Sequence, residues 1–262
     1  MTTTFRALHE PGRLLLLANA WDAGSARLIE ARGAAAIATT SAGLAWSRGH
    51  PDGDRLPPGV LAAAVGEIAR VVSVPLSVDI EGGYASDPHA VGENVRAVIE
   101  AGAVGINLED GAAPPALLCA KIEAARTIAA KTGVDLFVNA RCDVFLRGLT
   151  AREAAVPETL ARAERYRAAG CDGFFAPGVR DAAAIREIAS ALGPLPLNVL
   201  AVPGLPPLAE LRALGVRRLS AGSGIAALAY GAAQRAAVRF LEDGVLDFGA
   251  AAPYAEMNAL FA

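Results

Sequence analysis

Eight short apolar segments alternate with longer Ala- and Leu-rich stretches along this chain of 262 residues, and that alternation narrows the choice of fold sharply. The segments read as strands at 14–20, 35–40, 75–80, 105–109, 136–142, 173–176, 196–201 and 218–222. The stretches between them read as helices at 23–32, 58–71, 87–101, 115–132, 151–169, 181–192, 206–214 and 224–242. Gly marks the joint from helix to strand at Gly33, Gly102, Gly133, Gly170 and Gly215, where the left-handed position after a helix favours it. Strands alternating with helices form parallel sheets. Eight such units without a long linker predict a (β/α)8 barrel spanning residues 1–262 as one domain. A doubly wound open sheet is the alternative, but no Gly-x-Gly-x-x-Gly follows the first strand to bind a dinucleotide. The tail from about 224 to 262 reads as an apolar helix broken at Asp243-Gly244 and then a short helix at 252–262. It packs either within the chain or against another subunit.

Three of the strands end in charge. They are Pro75-Leu76-Ser77-Val78-Asp79-Ile80-Glu81, Val104-Gly105-Ile106-Asn107-Leu108-Glu109-Asp110 and Leu136-Phe137-Val138-Asn139-Ala140-Arg141-Cys142-Asp143. A parallel strand is buried on both faces, so charge at its far end needs a reason. In a barrel of this kind that end is where chemistry sits. Side chains alternate along a strand, so Asp79 and Glu81 share a face, as do Asn107 and Glu109, and Asn139, Arg141 and Asp143. If Asp79, Glu109 and Arg141 face the mouth, Cys142 faces the helices as a small buried hydrophobe.

Carboxylates gathered at one mouth point to a divalent metal. Magnesium takes oxygen ligands, keeps several waters and needs only one or two direct carboxylates. Asp79 fits a direct ligand of Mg2+ (or Mn2+), while Glu81, Glu109 and Asp52 fit acids that hold its waters. Arg141 offers a planar fork to a substrate carboxylate or a developing enolate. The same residues also fit a structural ion-pair network around Arg141. A second group, Thr39-Thr40-Ser41-Ala42-Gly43-Leu44-Ala45, reads as a small-residue loop whose amides approach an anion, with the Ser41 hydroxyl beside them.

Composition sets the remaining bounds. There are 24 basic and 27 acidic residues, a net charge of -3, so the footprint of a nucleic-acid binder is missing. Three cysteines, Cys119, Cys142 and Cys171, make no disulfide framework and no Cys-x-x-Cys, which fits a cytoplasmic protein. Leu14–Leu17 is too short a run to span a membrane.

At Asn19-Ala20-Trp21-Asp22, Ser41-Ala42-Gly43, Pro51-Asp52-Gly53, Asp79-Ile80-Glu81-Gly82-Gly83-Tyr84, Ile106-Asn107-Leu108-Glu109-Asp110 and Asn139-Ala140-Arg141-Cys142-Asp143 the chain resembles the isocitrate lyase/phosphoenolpyruvate mutase superfamily. The resemblance implies the barrel, Mg2+, and cleavage or formation of C–C or P–C bonds in small 2-oxo or 2-hydroxy acids. It implies Asp79 as direct metal ligand, with Asp52, Glu81 and Glu109 holding its waters. It assigns the substrate carboxylate to Ser41, Ala42 and Gly43, and substrate contacts to Arg141 and Asn198. It also implies a homo-oligomer, dimer or tetramer, with an exchanged C-terminal helix.

Two departures narrow the reading. Lyases of the family carry Lys-Lys-Cys-Gly-His after the fourth strand, whereas this chain has Asp110-Gly111-Ala112-Ala113-Pro114-Pro115-Ala116. They carry a Glu after the sixth, where this chain has Phe175-Ala176-Pro177-Gly178. The Lys, Asn and Ser of the mutase and phosphonopyruvate hydrolase loop are missing too. The expected activity is therefore a Mg-dependent carbon–carbon lyase, of the oxaloacetate decarboxylase or substituted-malate lyase kind, using Arg141 and Glu109. Glu109, Tyr84 and His50 remain open as the base. The alternatives are a P–C bond enzyme, a phosphate-binding barrel enzyme using Val202-Pro203-Gly204 and Ala221-Gly222-Ser223-Gly224, and a binding protein without chemistry.

Overall fold

In the computed structural model, which describes residues 4–249 and 251–262, all nine strands are parallel and lie in one sheet. They are β1 (Leu15–Leu17), β2 (Asn19–Ala20), β3 (Ile37–Thr39), β4 (Leu76–Asp79), β5 (Gly105–Glu109), β6 (Phe137–Arg141), β7 (Gly173–Phe175), β8 (Leu197–Leu200) and β9 (Val216–Ser220). The first strand is split at Ala18: β1 pairs with β9 and β2 pairs with β3. One chain segment thus joins the two ends of the sheet, and the result is a (β/α)8 barrel with helices between the strands. Each expected strand is found within one or two residues of its expected place.

Local chemistry accounts for the joints. Asp22 caps the helix Ala23–Ala31 by accepting from the Ser25 amide at 2.6 Å, while the Asp22 amide donates to Ser25 Oγ at 3.1 Å. Asp87 and Asp181 cap two further helices. At the other ends, the five expected Gly joints all have positive φ.

Two helices were not expected. Ser41–Ser47 is helical rather than a loop, because Leu44 and Ala45 are buried and the Leu44 amide donates to Thr40 O at 3.0 Å. Val144–Arg147 forms a single turn directly after Asp143. In the tail, helices run over Gly224–Asp243 and Tyr254–Ala259.

The barrel interior is layered. At its base, Phe5 and His9 from the N-terminal turn close the bottom, and His9 stacks on Phe137 with ring centroids 4.2 Å apart. Gly105 makes this plug fit, since a Cβ there would stand 2.7 Å from the Phe5 ring. Above lies a buried polar layer of Asn107, Asn139, Asn198, Arg218 and Ser220. Above that, β4, β5 and β6 stay buried until their last residues, and those residues are Asp79, Glu109 and Arg141.

Candidate active site

The mouth is built on β4, β5 and β6. Register pairing sets Asp79 beside Asn107 and Glu109 beside Arg141. Arg141 Nη1 stands 2.5 Å from Glu109 Oε2. Its Nε and Nη2 donate to the two oxygens of Asp143 at 2.7 and 3.1 Å, a bidentate clamp on a fully buried carboxylate. Of the five N–H groups of a guanidinium, Asp143 takes two by hydrogen bonds, and Nη1 lies against Glu109 as an ion pair without a hydrogen bond.

Parity sorts the neighbours as expected. Asp110 faces outward and accepts from Arg162 Nη1 at 2.9 Å and the Tyr166 hydroxyl at 2.6 Å. Cys142 is buried among the same groups, and burial pushes its thiol well above the usual range. Cys171 is buried as well, at about 12. Neither thiol is activated.

The mouth carries more negative charge than its cations balance. Burial, together with repulsion from Asp52 and Asp79, pushes Glu81 up to about 7 against the hydrogen bonds from the Asp54 amide and Tyr84. Burial pushes Glu109 up to about 8 although Arg141 opposes it, with Asp79, Asp143 and Glu81 adding like charge. Asp79 is also raised, chiefly by burial, while Arg141 and the Ser41 amide act against that. Asp52 is exposed and reaches this cluster through its charge.

The loop after β4 is held from outside. The Asp54 amide donates to Glu81 Oε2, and Asp54 Oδ1 accepts from the Gly82 and Tyr84 amides at 3.1 and 3.0 Å. Asp54, Glu81 and Tyr84 are the non-Gly residues with positive φ among those described, at 56°, 50° and 58°. Such backbone costs energy and gathers where a site over-determines it. The Tyr84 hydroxyl donates to Glu81 Oε1 at 3.0 Å and burial raises its phenol above the usual range, so Tyr84 serves as a donor, not a base. His50, in the loop after Ser41–Ser47, is half-buried and makes no side-chain hydrogen bond among the described residues.

Two cations flank this cluster that the sequence reading did not include. Lys121 is buried and donates to Gly82 O at 2.5 Å, and Arg147 lies 2.8 Å from Asp143 and 3.9 Å from Glu109. Together with Asp54, Glu109 and Gly111 they line a cavity of about 240 Å³ beside the mouth. A helical reading of 144–147 would have placed Arg147 one turn from Asp143. Nothing in sequence spacing marks Lys121. Two larger cavities, of about 470 and 490 Å³, are lined by segments at the N-terminal ends of the strands, away from the charged mouth.

The Ser41–Gly43 segment arrives as the first turn of a helix, whose amides have no partner within the helix. No side chain caps it, and its N-terminal dipole favours an anion. Gly43 is required there: a Cβ would sit 2.7 Å from Trp21 Cβ and 2.8 Å from Thr40 Cγ2. Asn198 lies deeper, with Oδ1 accepting from Ser220 Oγ at 3.2 Å and Nδ2 buried without a partner. Of the phosphate-loop alternative, the Gly222 amide is already bonded to Asn19 Oδ1 at 2.9 Å.

Among the described residues no three His, Cys, Asp or Glu side chains form a ready-made metal cage. The donor set instead suits a cation that keeps its waters: all oxygen, with one strand-end carboxylate and further acids around it. Burial first, and like charge second, raise these carboxylates, and a bound cation would favour their ionised form.

The chain is similar to several known proteins. The family model described as phosphoenolpyruvate phosphomutase matches residues 5–241. An uncharacterised protein of Mycobacterium tuberculosis is 41% identical over 98% of this chain and 95% of its own. An oxaloacetate decarboxylase of Paraburkholderia xenovorans is 31% identical over 79% of this chain and 70% of its own. A solved structure from Burkholderia cenocepacia superposes with a TM-score of 0.89 at 37% identity, covering 98% of this chain and 94% of that one.

Proposed function

Because the chain belongs to the phosphoenolpyruvate phosphomutase family, within the isocitrate lyase/phosphoenolpyruvate mutase superfamily, we propose that it is a divalent-metal-dependent lyase that cleaves or forms a C–C bond in a small 2-oxo or 2-hydroxy carboxylic acid. One observation carries this reading: Asp79, Glu81 and Glu109, all raised by burial and by neighbouring acids, crowd a mouth where Arg141 keeps N–H groups free of hydrogen bonds. Similarity to an oxaloacetate decarboxylase supports it.

Asp79 would hold the cation directly, with Glu81, Glu109 and Asp52 around its waters. When bound, Mg2+ or Mn2+ supplies Lewis-acid polarisation of the substrate's carbonyl oxygen. The Ser41 hydroxyl and the amides of Ala42 and Gly43 would receive the substrate carboxylate at the helix N-terminus, the Ser41 amide being engaged by Asp79. Breaking the C–C bond sends its electron pair onto the carbonyl oxygen as an enolate, and the free N–H groups of Arg141 face that growing charge. Glu109 holds Arg141 in place. Its carboxylate, at the strand end beside Arg141, is the candidate acid/base.

The assembly we propose is a homo-oligomer. On the tail, Leu228, Leu241, Phe248 and Tyr254 are 73, 84, 71 and 83% exposed, more apolar surface than a lone soluble chain usually presents. No helix among the described residues is long and apolar enough to cross a membrane.

The test is turnover. Purified protein with Mg2+ is offered oxaloacetate, substituted malates and phosphonopyruvate, and release of 2-oxo acid is followed. Activity that survives EDTA or Asp79→Ala would refute the metal-lyase reading. Turnover confined to phosphonopyruvate would favour P–C chemistry.

A further inference from the structure

Arg218 is 1% exposed inside the barrel, yet no carboxylate lies within salt-bridge distance of it among the described residues. Its Nη2 donates to Asn107 Oδ1 at 3.0 Å and its Nε to Ser220 Oγ at 3.3 Å, while Nη1 is buried without a partner. A buried charge without a counter-ion is costly, so its retention asks for a task. Asp79 favours its charge from the layer above without making a salt bridge to it. Arg218 lies one layer below, in contact with residues of β5 and β9.

The task follows from hydrogen-bond polarity. A guanidinium can only donate. Ser220 Oγ therefore accepts from Arg218, and the Ser220 proton is left to donate onward to Asn198 Oδ1 at 3.2 Å. Turned over, the Asn198 amide would leave the Ser220 proton without an acceptor among the described residues, so Oδ1 is the end that faces Ser220. The Nδ2 end is turned away, buried, and has no acceptor in the protein. A buried amide donor without a partner costs about 1–3 kcal/mol, which an arriving acceptor would recover.

We propose that Arg218 is a positioning residue that sets the polarity of Asn198 through Ser220, so that Asn198 presents a donor to an acceptor oxygen of the bound acid. The acceptor belongs to an oxygen with a free lone pair, and a group that can only donate, such as an ammonium, is rejected at this point. This rests on the acid-binding reading above, but the relay itself is a property of the protein alone.

The test separates the two. The side-chain NH2 signals of Asn198 are identified in 15N–1H spectra by their loss in Asn198→Ala. They should shift in Arg218→Met and in Ser220→Ala, and stay close to wild type in Arg218→Lys, which is still a donor-only cation. If Arg218→Met does not fold, Ser220→Ala cuts the same relay with little change of volume. In parallel, oxalate binding with Mg2+ is measured by calorimetry. Ser220→Ala and Asn198→Ala should each weaken it about tenfold, and the double variant also about tenfold, because both remove one donor. Independent losses that multiply to about 100-fold, or an unmoved Asn198 signal in Ser220→Ala, would overturn the relay. Failure of the wild type to bind oxalate would count against the acid-binding reading, and the Asn198 signals would still decide the relay.

Discussion

Glu109 and Arg141, on neighbouring strands, meet 2.5 Å apart at the mouth of the barrel, and Asp143 grips the same guanidinium from its other side. The pair is an aimed cation. Two acids fix its plane, and only its unpaired N–H groups can turn toward a ligand.

Arg141→Gln should therefore cost more than a positive charge. It leaves Glu109 and Asp143 without their shared partner and removes the oxyanion contact. We expect kcat/KM on the best acid of the panel to fall by about 100-fold or more, with Arg141→Lys little better, because Lys lacks the fork. Steady-state kinetics check this, with circular dichroism to show that the variant is folded.

Stability of the metal-free protein should fall as pH rises. Glu81 and Glu109 have folded-state values raised to about 7 and 8 from ordinary values of 4.5. Between about 4.5 and 8 the folded protein holds more protons than the unfolded chain, so raising the pH through that window favours unfolding. Melting in EDTA should show Tm declining across it, with a weaker decline in Glu109→Gln. Added Mg2+ should flatten the slope, since a cation favours the ionised acids. A Tm that rises steadily from pH 5 to 8 in EDTA, equally in wild type and Glu109→Gln, would count against this electrostatic picture.

The outward-facing Asp110 should matter to folding. It pairs with Arg162 and Tyr166 in the layer between barrel and helices. Asp110→Ala leaves the Tyr166 hydroxyl and the Asp143 amide without their acceptor, while Arg162 keeps Glu158, and should destabilise by about 1–3 kcal/mol. Tyr166→Phe removes one hydrogen bond and should cost about 1 kcal/mol. Urea unfolding measures both.

Gly43→Ala forces a methyl against Trp21 and Thr40 at under 3 Å. The first turn of the Ser41–Ser47 helix must shift, and its amides with it. Affinity for oxalate in the presence of Mg2+ should drop at least about tenfold with a smaller loss of Tm, as calorimetry and thermal melting would show.

The exposed tail predicts its own disruption. Leu241→Glu combined with Leu228→Glu should convert an oligomer to monomer in sedimentation experiments, because charge is excluded from the centre of an apolar interface. A wild type that sediments as a monomer would refute the proposed assembly.

Much of the site could be read from strand ends because a parallel strand obeys a strict two-residue period. Asp79, Glu109 and Arg141 were placed at one mouth, and Cys142 on the other face, by counting alone. Glu81 was harder, since β4 ends at Asp79 and the backbone then turns to positive φ, so its burial owes nothing to strand parity. The Ser41–Gly43 helix was missed because small residues describe turns and first helical turns equally well. Only the burial of Leu44 and Ala45 distinguishes them. Arg218 carried a legible signal that went unused: it shares a face with Val216 and Ser220 in a strand whose burial alternates.

The alternation of apolar strands with Gly-ended helices, and with it the barrel and its charged end, was already present in the order of residues, because strand and helix periods are local properties. What the tertiary structure decided is which distant groups meet. Asp54 reaches across 27 residues to Glu81, Lys121 across 39 to Gly82, and Arg218 across 111 to Asn107. Such contacts depend on closure of the sheet and on the angle at which each loop leaves its strand. No local period encodes either.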